Sequence, residues 1–196
     1  MSCTRSVARA ALGCVAYLLS ACSSSPPTHY YLLSQVMPAS AASLTAAADA
    51  VVIRVQPVSI PPELDRLQLV THLGANDVRI ADTMLWAAPL DEQLRRILSA
   101  DLAARLPPLL VADPNEPSTK EPRRLLSLAI DEFYADESCS VTLHANWTLR
   151  DPAAPVRRGV ETLQLPASVP CADEAGAMSR ALGMLADRLA PALSNP

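Results

Sequence analysis

Glycine is scarce in this chain, at 5 of 196 residues against an average of about 7 %. That leaves little material for the phosphate-cradling loops of nucleotide-binding proteins. Charged residues make up only 18 %, and 16 Lys and Arg stand against 20 Asp and Glu, for a net charge of −4. A chain of that sign lacks the basic footprint that nucleic acid requires. Aromatics are few (one Phe, two Trp, four Tyr), which disfavours a large apolar ligand cavity. The three histidines, His29, His72 and His144, show no metal-type spacing. There is no Walker-type loop and no Gly-x-Ser-x-Gly nucleophile elbow. Together these absences point away from an enzyme, a metal or cofactor, and a nucleic-acid partner. What is present is apolar: 50 % hydrophobic content and 18 prolines imply one compact domain with a real core and many enforced bends.

The N-terminus reads as a targeting signal. Arg5 and Arg9 flank the start of an uncharged apolar run of ten residues, 10–19. A membrane-spanning helix needs about 20, so the run is the h-region of a signal peptide. It ends in Leu19-Ser20-Ala21-Cys22, a bacterial lipobox pattern. Small Ser20 and Ala21 fit a peptidase cleft, and the Cys22 thiolate is the nucleophile that takes a diacylglycerol group. Cleavage between Ala21 and Cys22 frees an amine that can itself be acylated, and two or three chains anchor stably where one does not. Ser23 rather than Asp follows the cysteine, so the expected address is the outer membrane, facing the periplasm. The expected organisation is a signal peptide over 1–21, a lipidated tether over 22–29 and a folded domain over 30–196. The processed chain has 175 residues and a net charge of −6.

Cys3 and Cys14 leave with the signal, Cys22 becomes a thioether, and Cys139 and Cys171 remain. In an oxidising periplasm such a pair is most simply a disulfide. Closing a loop of 33 residues would add about 3–4 kcal/mol in the chain-entropy model. Two buried thiols, or half of a zinc site, are the alternatives.

Past the tether, Tyr30-Tyr31-Leu32-Leu33 reads as a strand. Val51, Ile53, Val55 and Pro57 alternate as a half-buried strand does, and Pro61-Pro62 interrupts regular pairing. Residues 67–73 and 78–81 flank Gly74-Ala75-Asn76-Asp77, which predicts a hairpin. The period then becomes helical. Leu90, Leu94, Ile97, Leu98, Leu102 and Leu106 form one stripe, while Asp91, Glu92, Arg95, Arg96 and Arg105 face away. Residues 107–124 hold five prolines and read as loop. Strands are expected at 126–130, 141–149 and 160–165. A last helix opens at Asp173, with Met178, Leu182, Leu185 and Leu189 on its apolar side, and ends at Pro191. The expected fold is a single α/β domain, a mixed β-sheet packed by two amphipathic helices.

These features resemble the ABC-type transport auxiliary lipoproteins, the PqiC/YmbA-like family. The matching residues begin at Tyr30-Tyr31-Leu32-Leu33. They continue through Ile53-x-Val55-x-Pro57-Val58-x-Ile60-Pro61-x-x-Leu64-Asp65-Arg66-x-Gln68-Leu69-Val70, then Trp86-Ala87-x-Pro89-Leu90, Phe133, and Leu143-x-Ala145-x-Trp147-x-Leu149-x-Asp151. Glu63 stands where an aromatic residue is common in the family, and Ala88 where it often has an acid. The resemblance implies a mixed-sheet α/β fold. It also implies a lipoprotein that works with an MCE-domain protein and associated inner-membrane transport components to move lipid between two membranes.

The candidate partner contacts are Pro57, Ile60, Pro61, Leu64, Asp65, Arg66 and Trp86. Asp65 and Arg66 either present a charged pair on a proline-stiffened loop or form a local ion pair. Trp86 is either an interface anchor or packing between helix and sheet. Asp131-Glu132 and Asp136-Glu137 are either glycosidase-like acids or solvated strand ends. His144 shares a polar strand face with Thr142, Asn146 and Thr148 and reads as solvated. The functional expectation is a non-catalytic adaptor, for which self-association around a ring-shaped conduit would be natural. The alternative is a lipoprotein that carries lipid itself.

Overall fold

The computed structural model describes residues 26–38, 52–106, 111–112, 124–167 and 173–194. The expected targeting segment, the connector at 39–51, most of 107–123 and Cys171 lie outside the described residues. Among the described residues, seven strands and two helices follow one another: β1 (His29–Tyr31), β2 (Ile53–Val55), β3 (Gln68–Gly74), β4 (Asp77–Trp86), α1 (Leu90–Arg105), β5 (Arg124–Asp136), β6 (Val141–Asp151), β7 (Ala154–Leu165) and α2 (Glu174–Ser194). The strands form one sheet in the order β1-β4-β3-β5-β6-β7, with β2 also on β5. The β3–β4, β5–β6 and β6–β7 pairs are antiparallel, and β1–β4, β2–β5 and β3–β5 are parallel. Helix α2 lies over β5–β7, and α1 packs beside it and over β2. The expected mixed sheet with two amphipathic helices is the fold found.

β5 is the spine of the sheet. Leu126, Leu128 and Ile130 point into the core; the register then slips at Asp131, and Phe133 and Ala135 continue inward. Asp131 is a β-bulge, one extra residue that resets the alternation. The strand therefore runs to Asp136 rather than ending at Ile130 as expected. On the neighbouring strands, Trp147 faces Gly159. A Cβ on Gly159 would lie 2.8 Å from the indole, so the missing side chain makes room for the ring.

Several expected boundaries move. β1 spans His29–Tyr31, and Leu32 and Leu33 have already left the sheet. β2 is only Ile53–Val55, because the register slips by one residue after Gln56, so that Ser59 rather than Val58 donates to the Leu128 carbonyl. β4 extends to Trp86 and β7 begins at Ala154, each longer than its apolar alternation. Helix α2 passes through Pro191 to Ser194. Leu193 is buried beneath that last turn and its carbonyl accepts from Arg124 Nη1 at 3.2 Å, so one lost backbone bond does not end the helix. At its other end, Asp173 Oδ1 accepts the Gly176 N–H at 2.7 Å, an N-cap.

Residues 32–38 form an extended strap against both helices. The N–H groups of Leu33, Ser34 and Val36 donate to Gln93 Oε1 (2.8 Å), Ser179 Oγ (3.1 Å) and Asp101 Oδ1 (2.8 Å). The Val36 carbonyl accepts from Arg105 Nη1 at 3.0 Å. Arg105 was expected to face away from the core; instead its guanidinium is buried, with Nε 2.6 Å from Asp187 Oδ1 on α2. The strap comes so close to α2 that a Cβ on Gly183 would sit 2.8 Å from the Val36 Cβ. Gly183→Ala should therefore destabilise the fold by about 1–2 kcal/mol, overpacking outweighing the gain in helix propensity. In urea unfolding, combining it with Val36→Gly should cost less than the two single losses added together.

Candidate interaction surface

The proline segment runs along β5 from β2 towards β3. Gln56 N–H donates to the Leu126 carbonyl at 2.8 Å and Ser59 N–H to that of Leu128 at 3.0 Å, while Ser59 accepts from Ile130 N–H at 2.8 Å. Pairing stops there, at the Asp131 bulge. The chain turns out through Pro61-Pro62, with Leu64 N–H on the Pro61 carbonyl at 3.0 Å and Arg66 N–H on that of Leu64 at 2.8 Å. It rejoins the sheet where β3 pairs with Ala135 and Asp136.

This detour sorts the candidate contacts. Pro57 and Asp65 are exposed, and Ile60, Pro61 and Arg66 are half-buried. Leu64 and Trp86 are buried core residues, not surface anchors. Trp86 ends β4 beside Tyr31, its N–H donating to the Leu67 carbonyl at 2.6 Å. Three residues on, Pro89 caps α1, its carbonyl accepting from Gln93 N–H at 3.1 Å. The tryptophan motif is thus the joint between sheet and helix. Asp65 and Arg66 make no ion pair with each other among the described residues.

Three of the four candidate acids, Asp131, Asp136 and Glu137, are held by neighbouring side chains or backbone. Asp131 Oδ2 lies 3.0 Å from His144 Nδ1 and also accepts from Asn146 Nδ2. Glu137 meets Arg79 at 2.8 Å. Asp136 accepts from Ser138 N–H, Ser138 Oγ and Ser140 N–H in the β5–β6 turn. Its slight burial opposes ionisation, but these three hydrogen bonds prevail and hold its carboxyl below the usual range. Among the described residues, no three His, Cys, Asp or Glu side chains converge as a metal ion needs. No described helix is long and apolar enough to cross a membrane.

Sequence reasoning missed the buried polar residues behind the strap. Gln93, Asp101 and Ser179 are 1 %, 0 % and 2 % exposed. The signal was there: Gln93, Ile97, Asp101 and Arg105 recur every fourth residue, one row over from the leucine stripe, and Ala175, Ser179, Gly183 and Asp187 do the same on α2.

The comparisons with known proteins agree with this architecture. The family model described as "ABC-type transport auxiliary lipoprotein component" matches residues 31–190. The chain belongs to that family. Among curated relatives it is 30 % identical over 139 residues to the intermembrane transport lipoprotein PqiC of Escherichia coli, and equally to that of Shigella flexneri. Each alignment covers 68 % of this chain and 72 % of the relative. Two crystal structures share the fold. An uncharacterized protein superposes with a TM-score of 0.71 at 23 % identity, covering 86 % of this chain and all of the other. A protein from Xanthomonas campestris gives 0.61 at 15 %, covering 83 % and 91 %.

Asp101 supplies a pH signature. Burial is the main cause that pushes its carboxyl up from 3.8 to about 6, partly offset by the Val36 N–H and by Arg105, while Asp187 adds to the rise. The folded state therefore binds this proton more tightly than the unfolded chain does. Its contribution to stability falls as pH rises from about 4 to about 6 and is flat above that. Asp101→Asn keeps an acceptor for Val36 and removes the titration. The difference in unfolding free energy between variant and parent should grow with pH over that interval and level off above it, measured by urea unfolding at each pH.

Proposed function

We propose that this chain is a non-catalytic accessory component of an MCE/ABC-type lipid transport system. Cys22 holds it in the outer membrane, and the folded domain docks an MCE-domain protein that reaches it from the inner membrane. The observation that carries the reading is the match over 139 residues to lipoproteins named for intermembrane transport. The lipobox ending at Cys22 supports the anchor. The mechanism is positional. Each methylene of an acyl chain exposed to water costs about 0.8 kcal/mol, so fixing the end of a conduit keeps cargo out of water without any bond being made or broken. Pro57 and Asp65 form the exposed part of the docking surface, with Ile60, Pro61 and Arg66 beside them.

Cross-linked envelopes containing the lipidated protein should yield an MCE-domain protein on affinity capture, identified by mass spectrometry. Charge reversal at Asp65 or Arg66 should reduce that recovery several-fold, and Cys22→Ala should abolish membrane attachment. Recovery of lipid with no MCE-domain protein would replace the adaptor with a carrier.

We also assign Cys139 and Cys171 as a disulfide. The cysteine pair of an oxidising periplasm is most simply a disulfide, and Cys139 sits at φ 57° in a turn tied by Asp136, a backbone conformation uncommon for a non-glycine residue. Cys139→Ser should lower stability under oxidising conditions by about 3 kcal/mol. Added reductant should bring the parent down to the same level.

A further inference from the structure

The direction of β1 says where the membrane lies relative to the sheet, given the Cys22 anchor on which this inference rests. β1 runs parallel to β4, with His29 beside Met84 and Tyr31 beside Trp86. β4 starts at the β3–β4 turn, so the chain upstream of His29 arrives from the turn side. Pro26, Pro27 and Thr28 are exposed, and a proline pair is a stiff, extended spacer. Cys22 lies seven residues before His29, as Asp77 lies seven before Met84. Seven extended residues reach about 24 Å. The anchor therefore reaches the hairpin end of the sheet, while the β6–β7 turn stands at the opposite end.

The hairpin end exposes apolar side chains. Leu73, Val78 and Ile80, on either side of the turn, are 44 %, 44 % and 43 % exposed. Over 77–83 the outer edge of β4 has no partner strand among the described residues. Arg79 is paired with Glu137 at 2.8 Å, so among the described residues Asp77 and Asp82 are left as the uncompensated charges of the hairpin. That balance favours zwitterionic over anionic headgroups. We propose that the tip of the β3–β4 hairpin, through Leu73, Val78 and Ile80, rests in the zwitterionic phospholipid surface of the membrane that holds the anchor. The domain then stands on its hairpin instead of swinging on its tether, with the β6–β7 end turned away from the bilayer.

Tryptophan quenching tests this in the lipidated protein reconstituted into zwitterionic vesicles, with and without brominated acyl chains. The native Trp86 and Trp147 are buried and supply a constant background. Val78→Trp and Leu73→Trp place reporters on the hairpin, and Val160→Trp places one on exposed β7 as control. Brominated lipid should lower the added emission at least twofold for both hairpin reporters and leave the control unchanged. Two hairpin reporters guard against one variant folding poorly. Flotation of the parent with no hairpin quenching, or with equal quenching at all three positions, would overturn the docking and leave the anchor standing. A parent that fails to float would overturn the anchor, and the docking with it.

Discussion

An extended segment lying between two helices must find partners for its backbone, and that demand organises this molecule. A buried, unpaired N–H or carbonyl costs about 1–3 kcal/mol, and the helices' own backbone groups are already used. The partners are side chains: Gln93, Asp101 and Arg105 from α1 and Ser179 from α2 meet the groups of residues 33–36. These residues sit at multiples of four along their helices, so rotating either helix by a fraction of a turn would unseat the strap. Gly183 lets the chain approach, and the Arg105–Asp187 pair closes the helices behind it. The helix–helix geometry is thus specified by hydrogen bonds, while its stability comes from the leucine stripes underneath.

The strap continues directly from β1. The N-terminal arm is therefore pinned twice, by pairing with β4 and by the side chains of both helices. A load applied to a lipid-anchored N-terminus would pass into the sheet and the helical layer together. An adaptor held at a fixed height needs that coupling, and a freely swinging domain would lack it.

Much of this was legible in residue patterns. The leucine spacing of α1, the alternation in β6 and the Gly-Ala-Asn-Asp turn each follow from local rules, and the structure holds all three. β5 was legible only as far as Ile130, because the bulge at Asp131 changes the phase of the alternation. β7 was legible only from Val160, because its first half is an edge on which no residue is fully buried. Pro191 looked like a stop signal, but it falls in the last turn of α2, where Leu193 is buried and its carbonyl is held by Arg124. Among the candidate contacts, Leu64 and Trp86 belong to the core, and side-chain type alone does not separate a core tryptophan from an interface one.

By itself the sequence determined the alternation of sheet and helix and the motifs that mark membership of a lipoprotein family. These depend on short-range order, where spacing along the chain equals spacing in the molecule. Tertiary structure alone decided which polar residues turn inward to hold the strap, where β5 changes phase, and that β1 enters from the hairpin side. The strap depends on residues 60 to 145 positions apart being brought within hydrogen-bonding distance, and β1 pairs with residues 55 positions away; no local pattern encodes which distant backbone will need a partner.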